Sequence, residues 1–198
     1  MFNAKRPVLI FGAGIRLAGA MGEAIAFAHA SGIPVAPTWG GLDIMPHDDP
    51  LFIGSFGTHG TRYGNFSVAN TDLIISCGSR LDSKSTGTPT STFARGARII
   101  IVDIDRTEVD KFQHMGLKVE GICEDAKAFF LRLLPDVKHE DYAPWLEKIA
   151  DWKRRYPICP PEYYQEEGVN PYVLVKALSN AMRDGDILCS DTGCAVAW

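Results

Sequence analysis

Short apolar runs that alternate with helical patterns constrain the fold of this chain more than any other feature. The runs typical of buried strands cover residues 8–11, 33–36, 72–77, 98–105 and 117–122. The helical patterns cover residues 18–30, 62–71 and 124–134. Because strands and helices alternate, we predict a doubly wound α/β fold, with a mostly parallel sheet of about five to six strands and helices on both faces.

The loops just past the carboxyl ends of these strands are the predicted ligand site. They cover residues 12–14, 38–39, 78–82 and 103–104, and ligands of open α/β sheets bind along that edge. Another loop places His59 between Gly57 and Gly60, and glycine permits close approaches that other residues resist. A tight surface connection is the alternative for this last loop.

The first glycine turn resembles a dinucleotide-binding fingerprint only in part. Gly12 and Gly14 follow a strand, but Leu17 stands where the third glycine of G-x-G-x-x-G belongs. No acidic residue ends the second strand, where Thr38 and Trp39 stand instead. Ordinary NAD binding is therefore not expected, and close packing is the alternative role of these glycines.

The charge and cysteine content argue against several classes of protein. A formal net charge of −4 disfavours a broad nucleic-acid-binding surface, which needs a basic excess. No apolar run approaches the ~20 residues of a membrane helix. The number of cysteines is odd and none form a Cys-x-x-Cys pair, so neither a disulfide framework nor a zinc site is indicated. A reducing, cytoplasmic location is predicted.

The composition changes after Pro135, and three regions are predicted. Residues 1–135 form the sheet domain, residues 136–169 form a linker with one helix, and residues 170–198 begin a second α/β domain. In the last region Asn170 and Pro171 start a helix, and residues 186–190 are predicted as a strand. These elements cannot bury their own apolar surface, so we predict that the chain is part of a longer polypeptide.

Residues 6–135 resemble the central domain of thiamine-diphosphate-dependent enzymes, in the acetolactate synthase branch. The matching motifs lie in order at residues 6–9, 12–14, 19–20, 48–51, 57–61, 78–82 and 101–105. Residues 170–198 resemble the start of the family's diphosphate-binding domain, through residues 191–193 and Trp198. The resemblance implies a Rossmann-like central domain and a truncated second one.

The resemblance also implies an activity for the parent protein. It would be a transferase or lyase that decarboxylates a 2-oxo acid such as pyruvate and adds the two-carbon unit to another carbonyl. It would use thiamine diphosphate and Mg²⁺ and form a homo-oligomer. The family's catalytic glutamate and metal motif lie in other parts of the enzyme, so no catalytic or metal-binding residue is assigned here. The chain alone is expected to be inactive. The alternative is a stand-alone FAD- or ADP-binding or scaffold domain without catalysis.

In the synthase branch the central domain binds FAD, and the resemblance implies which residues would contact FAD or an ADP-like nucleotide. They are Gly14, Thr38, Trp39, Phe56, Gly57, Thr58, His59, Gly78, Ser79, Arg80, Leu81, Asp82, Asp103, Ile104, Asp125 and Ala126. The implied contacts to thiamine diphosphate are Thr192, Gly193, Cys194 and Ala195.

This sequence departs from the family pattern at three places. Trp39 is bulkier than the usual aliphatic residue, residues 81–83 replace Phe-Asp-Asp, and residues 194–195 replace Gln-His. FAD, ADP and no nucleotide therefore remain open for the central domain. His59 is interpreted either as lining the cofactor side or as a structural histidine, and Asp105 is expected to cap a helix.

Overall fold

The computed structural model describes residues 3–114, 117–191 and 193–194. The chain divides into two compact units, Met1–Trp152 and Lys153–Trp198. The predicted contacts Thr192 and Ala195 lie outside the described residues, as does Trp198. Among the described residues, no helix is long and apolar enough to cross a membrane.

The first unit is organised by a five-stranded sheet in which every pairing is parallel. Its strands are β1 Pro7–Phe11, β2 Val35–Pro37, β3 Leu73–Cys77, β4 Arg98–Asp103 and β5 Val119–Cys123. Their spatial order is β2-β1-β3-β4-β5, so the chain changes direction across the sheet beside β1. The predicted α/β fold is confirmed. β1 and β3 are buried along their whole length, as expected of strands covered on both faces.

Eight helices accompany the strands in the described residues. They are α1 Ala13–Leu17, α2 Met21–Ser31, α3 Arg62–Asn70, α4 Ser83–Thr86, α5 Arg106–Asp110, α6 Ala126–Leu133, α7 Ala143–Arg155 and α8 Pro171–Ala181. The helix predicted at residues 18–30 starts too early, because Gly19 turns the chain with φ +62° between α1 and α2. Gly32 ends α2 in the left-handed conformation, as glycine often does after a helix.

Aromatic side chains fill the core between the sheet and the helices. The Phe130 ring of α6 lies 5.5 Å from that of Phe27 in α2 and 6.1 Å from that of Phe11 in β1. The Trp145 indole of α7 is buried and donates to the carbonyl of Pro7 at 3.1 Å. These contacts hold three helices against the first strand, whose carboxyl end enters the site described below.

The second unit contains α8, which begins as predicted. The Asn170 side chain accepts a hydrogen bond from the backbone N–H of Tyr172 at 2.9 Å, and Pro171 is the first helical residue. The strand predicted at residues 186–190 is wrong, since these residues pair with no other strand in the described part of the chain. The apolar run misled because a strand needs a hydrogen-bonded neighbour, and Ile187 and Leu188 are exposed here.

Candidate functional site

A cavity of about 740 Å³ lies at the carboxyl edge of the sheet. Its walls come from the loops that follow β1, β2, β3, β4 and β5, together with Phe56, Thr58 and His59. All the residues implied to contact a nucleotide line this cavity except Gly57 and Leu81. Nine lining residues are not among the implied nucleotide contacts, although Ala13 lies in the predicted loop 12–14; they are Ala13, Leu17, Ala18, Gly40, Lys84, Ser85, Val102, Asp105 and Glu124.

Gly57 and Leu81 do not line the cavity themselves, but the residues on either side of each do. Leu81 is only 3% exposed and belongs to the hydrophobic core. Gly57 lines a smaller neighbouring cavity of about 370 Å³, and a Cβ there would lie 2.5 Å from the carbonyl oxygen of Lys84. The same loop is fixed to α4 because the Thr58 N–H donates to that carbonyl at 2.8 Å.

The glycines after β1 and β3 pack directly against each other on the floor of the cavity. The N–H of Gly12 donates to the carbonyl of Cys77 at 3.0 Å, and that of Gly14 donates to Gly78 at 2.9 Å. A Cβ on Gly14 would lie 2.7 Å from the Cα of Gly78. Close packing is therefore a role these glycines do have. It also brings bare backbone to the cavity at the point where the strand order changes direction.

Residues 54–61 form a loop that is closed by the side chains of Thr61 and of Asn65 in α3. The Thr61 hydroxyl caps α3 by accepting from the N–H of Gly64 at 3.0 Å, and donates to the carbonyl of Ser55 at 3.2 Å. The Asn65 side chain bonds both the N–H and the carbonyl of Gly57, at 2.8 and 3.1 Å. Gly54 and Gly57 take positive φ angles of 81° and 97°, which glycine adopts without a steric penalty.

This loop places His59 against Trp39. The two rings are nearly parallel, at an interplanar angle of 11°, with centroids 4.9 Å apart. Both rings line the cavity, and Trp39 is 44% exposed. The pair therefore offers a flat aromatic surface, which suits contact with another planar ring.

Carboxylates outnumber cations in the cavity wall, but most already have partners. Asp82 caps α4, Asp105 caps α5 and Asp125 caps α6, each accepting from backbone N–H groups of the following turn. The expected capping role of Asp105 is thus confirmed. Hydrogen bonds from Thr107 hold the pKa of Asp105 below its usual value. The hydrogen bond from Arg132 likewise lowers the pKa of Glu124.

Among the carboxylates of the cavity wall, Asp103 has the fewest hydrogen bonds to the described part of the chain. Its Oδ1 accepts from the N–H of Asp105 at 3.0 Å. Its other oxygen accepts no hydrogen bond from any residue that the structure describes. An ionised carboxylate with a free oxygen can accept hydrogen bonds from ligand hydroxyl groups.

The loop after β3 carries an unusual backbone conformation. Gly78, Arg80 and Leu81 have φ angles of +58°, +57° and +43°. For a residue other than glycine this conformation costs on the order of 1–3 kcal/mol and persists only where surrounding contacts enforce it. No described residue accepts a hydrogen bond from the backbone N–H of Ser79 or Arg80. Adjacent free N–H groups in such a turn suit an anion.

Comparison with known proteins assigns the fold to a family. A family model described as "Thiamine pyrophosphate enzyme, central domain" matches residues 1–133. The chain belongs to this family. The central domain so identified provides the cavity, whose lining residues all lie between Ala13 and Ala126. Within the described part of the chain, no group of three or more His, Cys, Asp or Glu side chains is placed to hold a metal ion.

Individual relatives match almost the whole chain. It is 32% identical over 199 residues to acetolactate synthase isozyme 1 large subunit of Escherichia coli K12, covering 100% of the chain and 34% of the relative. It is 34% identical to the acetolactate synthase large subunit of Corynebacterium glutamicum, covering 99% of the chain and 31% of the relative. A probable acetolactate synthase large subunit of Methanocaldococcus jannaschii is 30% identical, with 99% and 34% covered. The chain thus spans about a third of the length of these relatives.

Proposed function

We propose that the parent protein is a thiamine-diphosphate-dependent, 2-oxo-acid-decarboxylating carboligase or lyase. The chain would supply its central domain and the start of its diphosphate-binding domain. The observation that carries this proposal is the match along nearly the whole chain to acetolactate synthase large subunits. The family match at residues 1–133 supports it independently. Pyruvate is the proposed substrate because acetolactate is the product that these relatives are named for.

We further propose that the cavity of the central domain holds FAD or an ADP-containing nucleotide. Its volume lies within the roughly 300–1,000 Å³ usual for small-molecule sites. The bare backbone at Gly14 and Gly78 and the free N–H groups of Ser79 and Arg80 would meet the diphosphate. The Arg80 guanidinium would pair with its anionic oxygens.

The other parts of a nucleotide find matching chemistry in the same cavity. Asp103 would accept hydrogen bonds from ribose hydroxyls, and the stacked pair Trp39 and His59 would contact a planar ring. A flavin there would have a structural role. Thiamine diphosphate supplies the electron sink for decarboxylation. The proposed contribution of this chain to that cofactor is limited to residues 192–195.

The remaining features of the parent enzyme are proposals of the same kind. We expect it to require Mg²⁺, to form a homo-oligomer and to act in the cytoplasm, where the five free cysteines would stay reduced. The chain by itself is expected to be inactive. The chain covers only about a third of its relatives, and the sequence assigns it no catalytic residue.

The test is made on the full-length parent protein. Pyruvate should be converted to acetolactate with thiamine diphosphate and Mg²⁺ present, and the purified protein should show or acquire the flavin absorbance band after incubation with FAD. Binding of ADP without FAD would identify a nucleotide site that excludes the flavin ring. Nucleotide binding without consumption of any 2-oxo acid would instead support a binding or scaffold domain without catalysis. Failure to bind either nucleotide would refute the proposed role of the cavity.

A further inference from the structure

The strained loop that carries Arg80 is supported by residues outside the cavity. Lys111 follows α5, and its Nζ donates to the carbonyl oxygen of Arg80 at 2.6 Å. The same ammonium group forms an ion pair with Glu108 of α5. The Oε1 atom of Glu108 also lies 3.4 Å from the Nε of Arg80. Lys111 therefore contacts the main chain of Arg80, and Glu108 contacts its side chain. We call these three residues the Arg80 triad.

The members of this triad differ in how far they are exposed. The side chains of Glu108 and Lys111 are 19% and 31% exposed, whereas that of Arg80 is 71% exposed. Arg80 lines the cavity, and Glu108 and Lys111 do not. Lys111 is therefore connected to the cavity wall by its hydrogen bond to the loop that carries Arg80, and not by lining the cavity itself.

We propose that Lys111 is a positioning residue that sets the conformation of the Arg80 loop and thereby the affinity of the cavity for a ligand diphosphate. A charge-assisted hydrogen bond to a carbonyl is among the stronger protein hydrogen bonds. Here the acceptor is the carbonyl of Arg80, whose left-handed φ of +57° is unfavourable unless surrounding contacts enforce it. Glu108 holds the ammonium group in place. This inference rests on the nucleotide-binding role proposed above.

The charge of Arg80 allows positioning to be distinguished from a general effect on stability. A guanidinium pairs with phosphate oxygens, whereas adenosine offers it no anion. Loss of Lys111 should therefore weaken the binding of ADP and leave the binding of adenosine nearly unchanged. A loss of overall stability would weaken both ligands alike.

The experiment compares variants of the full-length parent protein by isothermal titration calorimetry with ADP and with adenosine. Lys111→Met is expected to raise the Kd for ADP about tenfold, a change within the range measured for charged hydrogen bonds, and the Kd for adenosine less than about twofold. Lys111→Arg keeps the charge and should recover most of the affinity. In the presence of Arg80→Gln, the Lys111→Met change should weaken ADP binding by a smaller factor, because the guanidinium contact is already lost and only the contribution of the loop N–H groups remains.

Lys127 provides a matched control. Its Nζ also donates to a backbone carbonyl, that of Gly19 at 3.2 Å, and pairs with Glu23 at 3.3 Å. Lys127→Met thus removes the same kinds of contact without touching Arg80. It should leave the ratio of ADP affinity to adenosine affinity unchanged.

A second measurement does not depend on any ligand. Hydrogen exchange of the backbone at residues 78–82 should be faster in Lys111→Met than in the parent and in Lys127→Met. If the parent binds ADP but Lys111→Met behaves like Lys127→Met, the positioning role is overturned and the nucleotide site stands. If the parent binds none of FAD, ADP and adenosine, the nucleotide-binding role proposed for the cavity fails, whatever the exchange rates show about the loop.

Discussion

Replacing Gly12 with alanine tests the packing on which the cavity floor depends. A Cβ at this position would lie 2.2 Å from the carbonyl oxygen of Gly78 and 2.3 Å from the Cα of Ser79. Ordinary contact begins at 3.4 Å, so the turn after β1 and the loop after β3 would have to separate by about 1 Å. Both neighbours are backbone atoms, which cannot rotate away as a flexible side chain could.

The expected cost lies at the upper end of the range for overpacked cores, about 3 kcal/mol in the free energy of unfolding. Urea unfolding followed by circular dichroism measures it. Gly22→Ala is the control, because Gly22 lies in α2 and a Cβ there meets nothing within 4 Å. That change should stabilise the chain by roughly 0.5–1 kcal/mol through helix propensity. A loss below about 1 kcal/mol for Gly12→Ala would refute the close-packing explanation.

Three further predictions concern residues around the cavity. Asp125→Ala removes the cap that accepts from the N–H groups of Lys127 and Ala128, and should cost about 1 kcal/mol in urea unfolding; no loss would mean that α6 does not need its cap. Burial first, and then the charges of Asp103, Asp125 and Glu124, raise the pKa of the Cys77 thiol well above its ordinary value. Iodoacetamide at pH 8 should therefore label exposed Cys123 and spare Cys77 in the folded chain, and equal labelling by mass spectrometry would contradict this. Arg132→Met removes the hydrogen bond that lowers the pKa of Glu124. A lowered carboxyl pKa stabilises the fold at pH values above the ordinary glutamate pKa. The extra stability of the unmutated protein over the variant should therefore disappear as the pH falls from about 5 through the lowered pKa of Glu124. A constant difference between the two urea midpoints over that interval would contradict the assignment.

The sequence predicted the location of the cavity better than the roles of its residues. Four loops could be assigned to one edge because the carboxyl ends of parallel strands meet there. Lys84 gave no such signal, because residues 83–86 lack the apolar periodicity of a helix. In the structure they form α4, where Asp82 caps the helix and the N–H of Thr58 donates to the carbonyl of Lys84. Lys111 could not be recognised either, since its contact with Arg80 joins residues 31 apart in the chain.

The distribution of charged side chains favours one part of the cavity for an anion. Asp105, Glu124 and Asp125 gather negative charge where β4 and β5 end. The cations of the cavity, Arg80 and Lys84, follow β3 instead. Arg80 belongs to the loop that carries the free N–H groups. Electrostatics therefore favour a ligand whose diphosphate lies near β3 and whose hydroxyl groups lie near Asp103. A nucleotide has these two properties in one molecule, so the charge distribution supports the class of ligand that we propose for the cavity.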